Sequence, residues 1–111
     1  MRAMENTTLC AANSYERKYY LNPEFGKLPD QVKDELKAMS ALFVEEVGGI
    51  LEMQFDEEGE LLIRTSAEED DIAYDEIGAG LLIKKIRSEH RQLFEELTLF
   101  YKVVFLGEKF E

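Results

Sequence analysis

Along residues 30 to 46, "DQVKDELKAMSALFVEE", apolar positions recur at Val32, Leu36, Met39 and Phe43 and continue to Val47. Spacings of three and four place these side chains on one helical stripe. Pro29 suits the first helical position, where its missing N–H would be unpaired anyway, and Asp30 complements the positive end of the helix dipole. Gly48 and Gly49 supply a left-handed stop. The period then changes. In "ILEMQFDEEGELLIRT", Leu51, Met53 and Phe55 alternate with Glu52 and Gln54, the chain turns over Asp56 to Gly59, and Leu61 and Ile63 lead back. This pattern predicts an antiparallel hairpin, with Gly59 at a left-handed loop position and the Asp56 carboxylate bonding the turn backbone. Two strands alone are marginally stable, so their apolar face is covered by the preceding helix and by whatever follows, or the hairpin is extended by strands from another chain. The open hairpin edge is accordingly an assembly surface.

After the acidic stretch "SAEEDDIAYDE", a helical rhythm returns through Ile77, Leu81, Leu82, Ile86, Leu93, Leu97, Tyr101 and Val104. No Pro or Gly interrupts residues 81 to 106. A single helix over that stretch would be about 39 Å long, more than a small core needs, so it either protrudes toward another subunit or ends as a strand. "LTLFYKVVFL", residues 97 to 106, has the composition of a strand but no turn signal before it, which favours helix. At the other end, Thr8 as N-cap followed by Leu9, Ala12, Tyr15 or Glu16, and Tyr19 predicts a short first helix over "TLCAANSYERKYY". "LNPEFGKLP" reads as a tight connector that turns at Asn22-Pro23 and sends Phe25 into the core. Residues 1–7 are expected to be a flexible N-terminus.

The architecture expected is α+β in a single domain over 1–111: a short N-terminal helix, an amphipathic helix, a hairpin and a long C-terminal helical region. A chain of 111 residues, 45% hydrophobic and 33% charged, has the composition of an ordered globule. The formal net charge of −11 disfavours phosphate backbones and anionic lipid surfaces and favours a protein partner with a basic surface. No apolar run approaches the length of a membrane span, and "MRAMENTTLCAA" lacks the continuous apolar stretch of a signal peptide. One cysteine cannot form an intramolecular disulfide, which agrees with a cytoplasmic protein.

Catalytic signatures are sparse. Cys10 as a nucleophile needs a base, and His90, the one histidine, lies far along the chain; together they form only a minor candidate ligand site. A single Cys with a single His does not suggest zinc, "GAG" at Gly78 to Gly80 is not a dinucleotide fingerprint, and no cofactor is called for. The acids Glu68, Glu69, Asp70, Asp71, Asp75 and Glu76 lack the ligand alternation of an EF-hand loop and read as a solvated segment whose last members favour a helix start. Lys84, Lys85, Arg87, His90 and Arg91 form a basic island suited to local pairing or to the acidic loop of a second subunit. The candidate contact surface combines the hairpin edge with Tyr15, Tyr19, Tyr20, Phe100 and Tyr101, because tyrosine satisfies both an apolar and a polar environment at interfaces.

The segments "CAANSYERKYYLNPEFGKLP", "EEVGGILEMQFDEEGEL", "YDEIGAGLLI" and "YKVVFLGE" together resemble a family of small uncharacterised bacterial proteins of about this length. That resemblance implies no activity. The order helix, Gly48-Gly49, strand, turn, strand and helix is also similar to the first half of roadblock/LC7 domains, whose later strands and closing helix are missing or shortened here. This second resemblance implies dimerisation and the scaffolding or regulation of small GTPases. The function expected is a homodimeric interaction or regulatory module without catalysis. The alternative is a small-molecule or metal-binding enzyme whose pocket lies between the N-terminal Tyr/Cys segment and the C-terminal helix.

Overall fold

In the computed structural model, which describes residues 6–108, the chain is α+β: a four-stranded antiparallel sheet with helices packed against one of its faces. The strands are β1 (Thr7–Asn13), β2 (Lys18–Leu21), β3 (Ile50–Phe55) and β4 (Leu61–Ser66), in the spatial order β2-β1-β3-β4. The helices are α1 (Asp30–Val47), α2 (Glu76–Glu89) and α3 (Arg91–Val104).

α1 and the β3–β4 hairpin match the pattern of the sequence. Leu36, Met39, Phe43 and Val47 are buried along one stripe of α1, and both Gly48 (φ 78°) and Gly49 (φ 73°) take positive φ after it. Pro29 stands one place earlier than expected, as the N-cap with extended backbone. In the hairpin Leu51, Met53 and Phe55 face the core opposite Thr65, Ile63 and Leu61. The Asp56 carboxylate accepts the Glu58 and Glu60 amides at 2.9 Å each, and Gly59 adopts φ 90°.

The N-terminal segment is not a helix. It forms a second hairpin, β1–β2, pairing Cys10 with Leu21 and Ala12 with Tyr19. A β-bulge disguises the alternation: Thr8 faces Gln54 and Cys10 faces Met53, so Leu9 is left without a partner, and Leu9, Cys10 and Ala12 are all buried. The three-residue step from Leu9 to Ala12 imitates a helical one. The turn is closed by Asn13, whose side-chain oxygen accepts the Tyr15 amide at 2.9 Å and the Glu16 amide at 3.2 Å, and by Arg17 at φ 55°. β1 thereby occupies the β3 edge of the hairpin, so that this edge is filled by the same chain, while the helices cover the apolar face. The expected flexible opening falls outside the described residues over 1–5, whereas Thr7 belongs to β1 and bonds the Tyr101 hydroxyl at 2.8 Å.

Residues 97 to 106 are helical through Val104, but the long C-terminal helix is broken. His90 departs from helical geometry (φ −116°, ψ 30°), its amide closing α2 on Ile86 and its carbonyl opening α3 to Phe94. The break lets Ile86 and the row Leu93, Leu97, Tyr101 meet the same core, which a straight rod of this length would overshoot. The chain therefore neither protrudes nor ends as a strand. Phe25, in a 3-10 turn at Pro23–Phe25, plugs the far end, with ring centroids 4.7 Å from Phe105 and 5.8 Å from Phe55. Phe55 in turn stacks on Tyr101 at 4.3 Å.

Candidate interaction surface

The helices cover only the face of the sheet that carries Leu51, Met53 and Phe55. The strand registers place Tyr20, Ala11, Glu52 and Arg64 in one row across the other face, with Ile50 beside Asn13 and Leu62 beside Gln54. Tyr20, Ile50 and Leu62 do not belong to the apolar core, and Tyr20 is 51% exposed. Antiparallel sheets tolerate one wet face, so this face is compatible with solvent and open to a partner. Its polar groups are bonded locally. Thr8 donates to Glu52 at 2.7 Å, while the Gln54 side-chain oxygen accepts from Asn6 at 2.9 Å and from Arg64 Nε at 3.2 Å. Among the described residues, neither Glu52 nor Arg64 enters an ion pair, although the two are cross-strand neighbours.

The five aromatic residues singled out in the sequence do not form one patch. Tyr20 alone stands on the open face. Tyr19 points to the core side beside Cys10, and Tyr101 is only 5% exposed, stacked between Phe55 and Phe105. Phe100 is half-buried against Phe25 and Phe105. Tyr15 fastens the acidic loop to the β1–β2 turn: its hydroxyl donates to Asp71 at 2.5 Å and accepts the Glu68 amide at 3.1 Å. The Asp71 carboxylate beside it holds the Tyr15 phenol above its usual range. The alternation that sets Tyr19 and Tyr20 on opposite faces exists because β2 is a strand; on a helix the two would stand about 100° apart.

Cys10 and His90 belong to different parts of the molecule. The thiol is fully buried, 3.9 Å from the Ser40 hydroxyl, and burial raises its pKa to about 11. Beside it the Tyr19 hydroxyl is buried without a hydrogen bond of normal geometry, and its pKa is raised by the same desolvation. Burial favours the neutral thiol, the less nucleophilic form. His90 Nδ1 bonds the Glu35 carboxylate at 2.8 Å at the junction of α2 and α3. The groove between α1 and α2 that His90 lines does not reach Cys10.

The acidic stretch 68–76 is organised by its own backbone: Asp75 caps α2 by accepting the Gly78 amide at 2.8 Å, and Asp71 accepts the Ala73 amide at 3.0 Å. Among the described residues no group of three or more His, Cys, Asp or Glu side chains is placed to hold a metal ion. No helix among them is long and apolar enough to cross a membrane. In the basic island, Arg87 donates to the Leu61 carbonyl at 3.0 Å and so ties α2 to the edge strand β4.

Fold and surface together define a small α+β protein with a half-covered sheet. The chain belongs to the DUF6145 family of unknown function, which matches residues 6–109. Comparison with curated proteins and with solved structures found no match.

Proposed function

We propose that this chain is a non-catalytic interaction or regulatory module, working in the cytoplasm, that pairs with a second copy of itself across the open face of its sheet. The observation that carries this reading is the row Tyr20, Ala11, Glu52, Arg64, in which an acid and a base stand side by side without an ion pair. A two-fold axis through such a face sets Arg64 of each copy against Glu52 of the other, a self-complementary arrangement that fixes register more than it adds affinity. Tyr20, Leu62 and Ile50 supply the apolar contact. Four strands about 4.8 Å apart and six residues of about 3.3 Å each make a modest face, which suits a dimer that responds to concentration.

Light scattering coupled to size exclusion, run across a concentration series, tests the pairing. The native chain is expected to form a dimer that Tyr20→Ser weakens and Arg64→Glu abolishes, with the exchange Glu52→Arg plus Arg64→Glu restoring it. A native monomer at hundreds of micromolar, or a dimer indifferent to these substitutions, would overturn the reading.

A further inference from the structure

On the helical side of the sheet, the β1–β2 turn and α1 border an open groove of about 710 Å³. Its charged lining is Arg17, Lys37 and the edge residue Lys18, whose strand position belongs to the face of Tyr20, against one acid, Glu45. This reverses the balance of a chain that holds 24 acids and 13 Lys and Arg residues. Among the described residues none of the three cations is paired with a carboxylate. In the groove between β4 and α3 two of the three lining cations are already engaged, Lys102 with Glu60 at 3.8 Å and Arg87 with the Leu61 carbonyl, and Arg91 is the third. Arg17 also occupies left-handed backbone, φ 55°, a conformation that glycine adopts freely and a residue with a Cβ does not. The turn thus places a guanidinium at the groove despite an unfavourable backbone.

The remaining lining is of two kinds. Ala12, Ala41, Val44 and Tyr19 supply apolar surface, while Asn13, whose side-chain oxygen is occupied by the Tyr15 and Glu16 amides, borders the turn. A planar arginine fork and a lysine point charge match a phosphate group, and the apolar wall accepts an organic body. The volume is that of a small-molecule pocket. Large polyanions are kept away by the overall negative field, but that field is screened beyond about 8 Å in physiological salt, so a small anion reaching the mouth meets the local cations. We infer that this groove binds a small phosphorylated molecule, its phosphate held by Arg17 and Lys37 and its apolar part against Ala41, Val44 and Tyr19.

Titration calorimetry and thermal shift on the full chain, at constant ionic strength, provide the test with phenyl phosphate, inorganic phosphate and phenol as probes. Phenyl phosphate is expected to bind and raise the melting temperature, inorganic phosphate to bind more weakly, and phenol not at all. Arg17→Gly, which relieves the backbone, and Lys37→Ala, at an exposed helix position, should each weaken phenyl phosphate binding about tenfold or more. Lys84→Ala, an exposed cation on α2 outside the groove, should leave it unchanged. No binding at millimolar probe, equal losses in all three variants, or equal affinity for phenyl phosphate and inorganic phosphate would each overturn the assignment.

Discussion

Replacing Phe25 with alanine tests whether the connector between β2 and α1 is structural. The ring is fully buried, with centroids of Phe105, Phe55, Phe100 and Tyr101 at 4.7, 5.8, 6.3 and 6.3 Å. Truncating a buried phenylalanine costs about 3–5 kcal/mol, and the close stack on Phe105 places this site toward the upper end. A chain of this length holds roughly 6–17 kcal/mol in total, so the variant loses a large share of its stability. In urea, with a slope of about 2 kcal/mol per molar, a 4 kcal/mol loss lowers the midpoint by about 2 M. Phe25→Leu, which keeps much of the volume, should fall between the variant and the native chain. Ile72→Ala, at a position 99% exposed, serves as the blank and should stay within about 0.5 kcal/mol of native. A Phe25→Ala midpoint indistinguishable from that blank would refute the docking of the connector into the aromatic core.

The core side of the sheet yields two more expected outcomes. Burial lifts the Cys10 thiol from 9.0 to about 11, so below pH 9 the thiol is neutral in both states and its contribution is intact. Between pH 9 and 11 the unfolded chain loses the proton first, and up to about 3 kcal/mol of stability is lost. Urea midpoints at pH 8, 10 and 11 should therefore fall more steeply for the native chain than for Cys10→Ala, and parallel profiles would count against it. At the exit of α1, Gly49→Ala would set a Cβ 2.5 Å from the Ser66 carbonyl and 2.7 Å from the Tyr74 ring, whereas one at Gly48 meets nothing within 4 Å. Thermal melts should show Gly49→Ala losing about 1–3 kcal/mol more than Gly48→Ala, the cost of overpacking, and equal losses would dismiss the crowding argument.

How far the chain can be read in one dimension depends on whether each element's signal is local. α1 and the β3–β4 hairpin announce themselves because each has one buried face and a clean period, and Gly48, Gly49, Asp56 and Gly59 mark their ends with turn chemistry. The β1–β2 hairpin reads as a helix because the bulge at Leu9 shifts the alternation by one residue, and because Arg17 supplies the positive φ where glycine or asparagine would be expected. The open face is hidden for the same reason: Tyr20 and Arg64 share a surface only through registers that join three strand pairs.

From its sequence alone, this chain was determined to be α+β, with an amphipathic helix stopped by paired glycines, a hairpin turning at Asp56 to Gly59, and Phe25 in the core. These are consequences of side-chain period and backbone preference, which act over a few residues. Only the tertiary structure decided that the N-terminal segment is a strand pair beside β3, that the C-terminal helix breaks at His90, and that Tyr101 is core while Tyr20 is surface. Those outcomes depend on competition for one apolar face by segments far apart in the chain. β1 becomes a strand because β3 offers it unpaired backbone, and α3 folds back because Leu93, Leu97 and Tyr101 find cover on the core that holds Phe25 and Phe55.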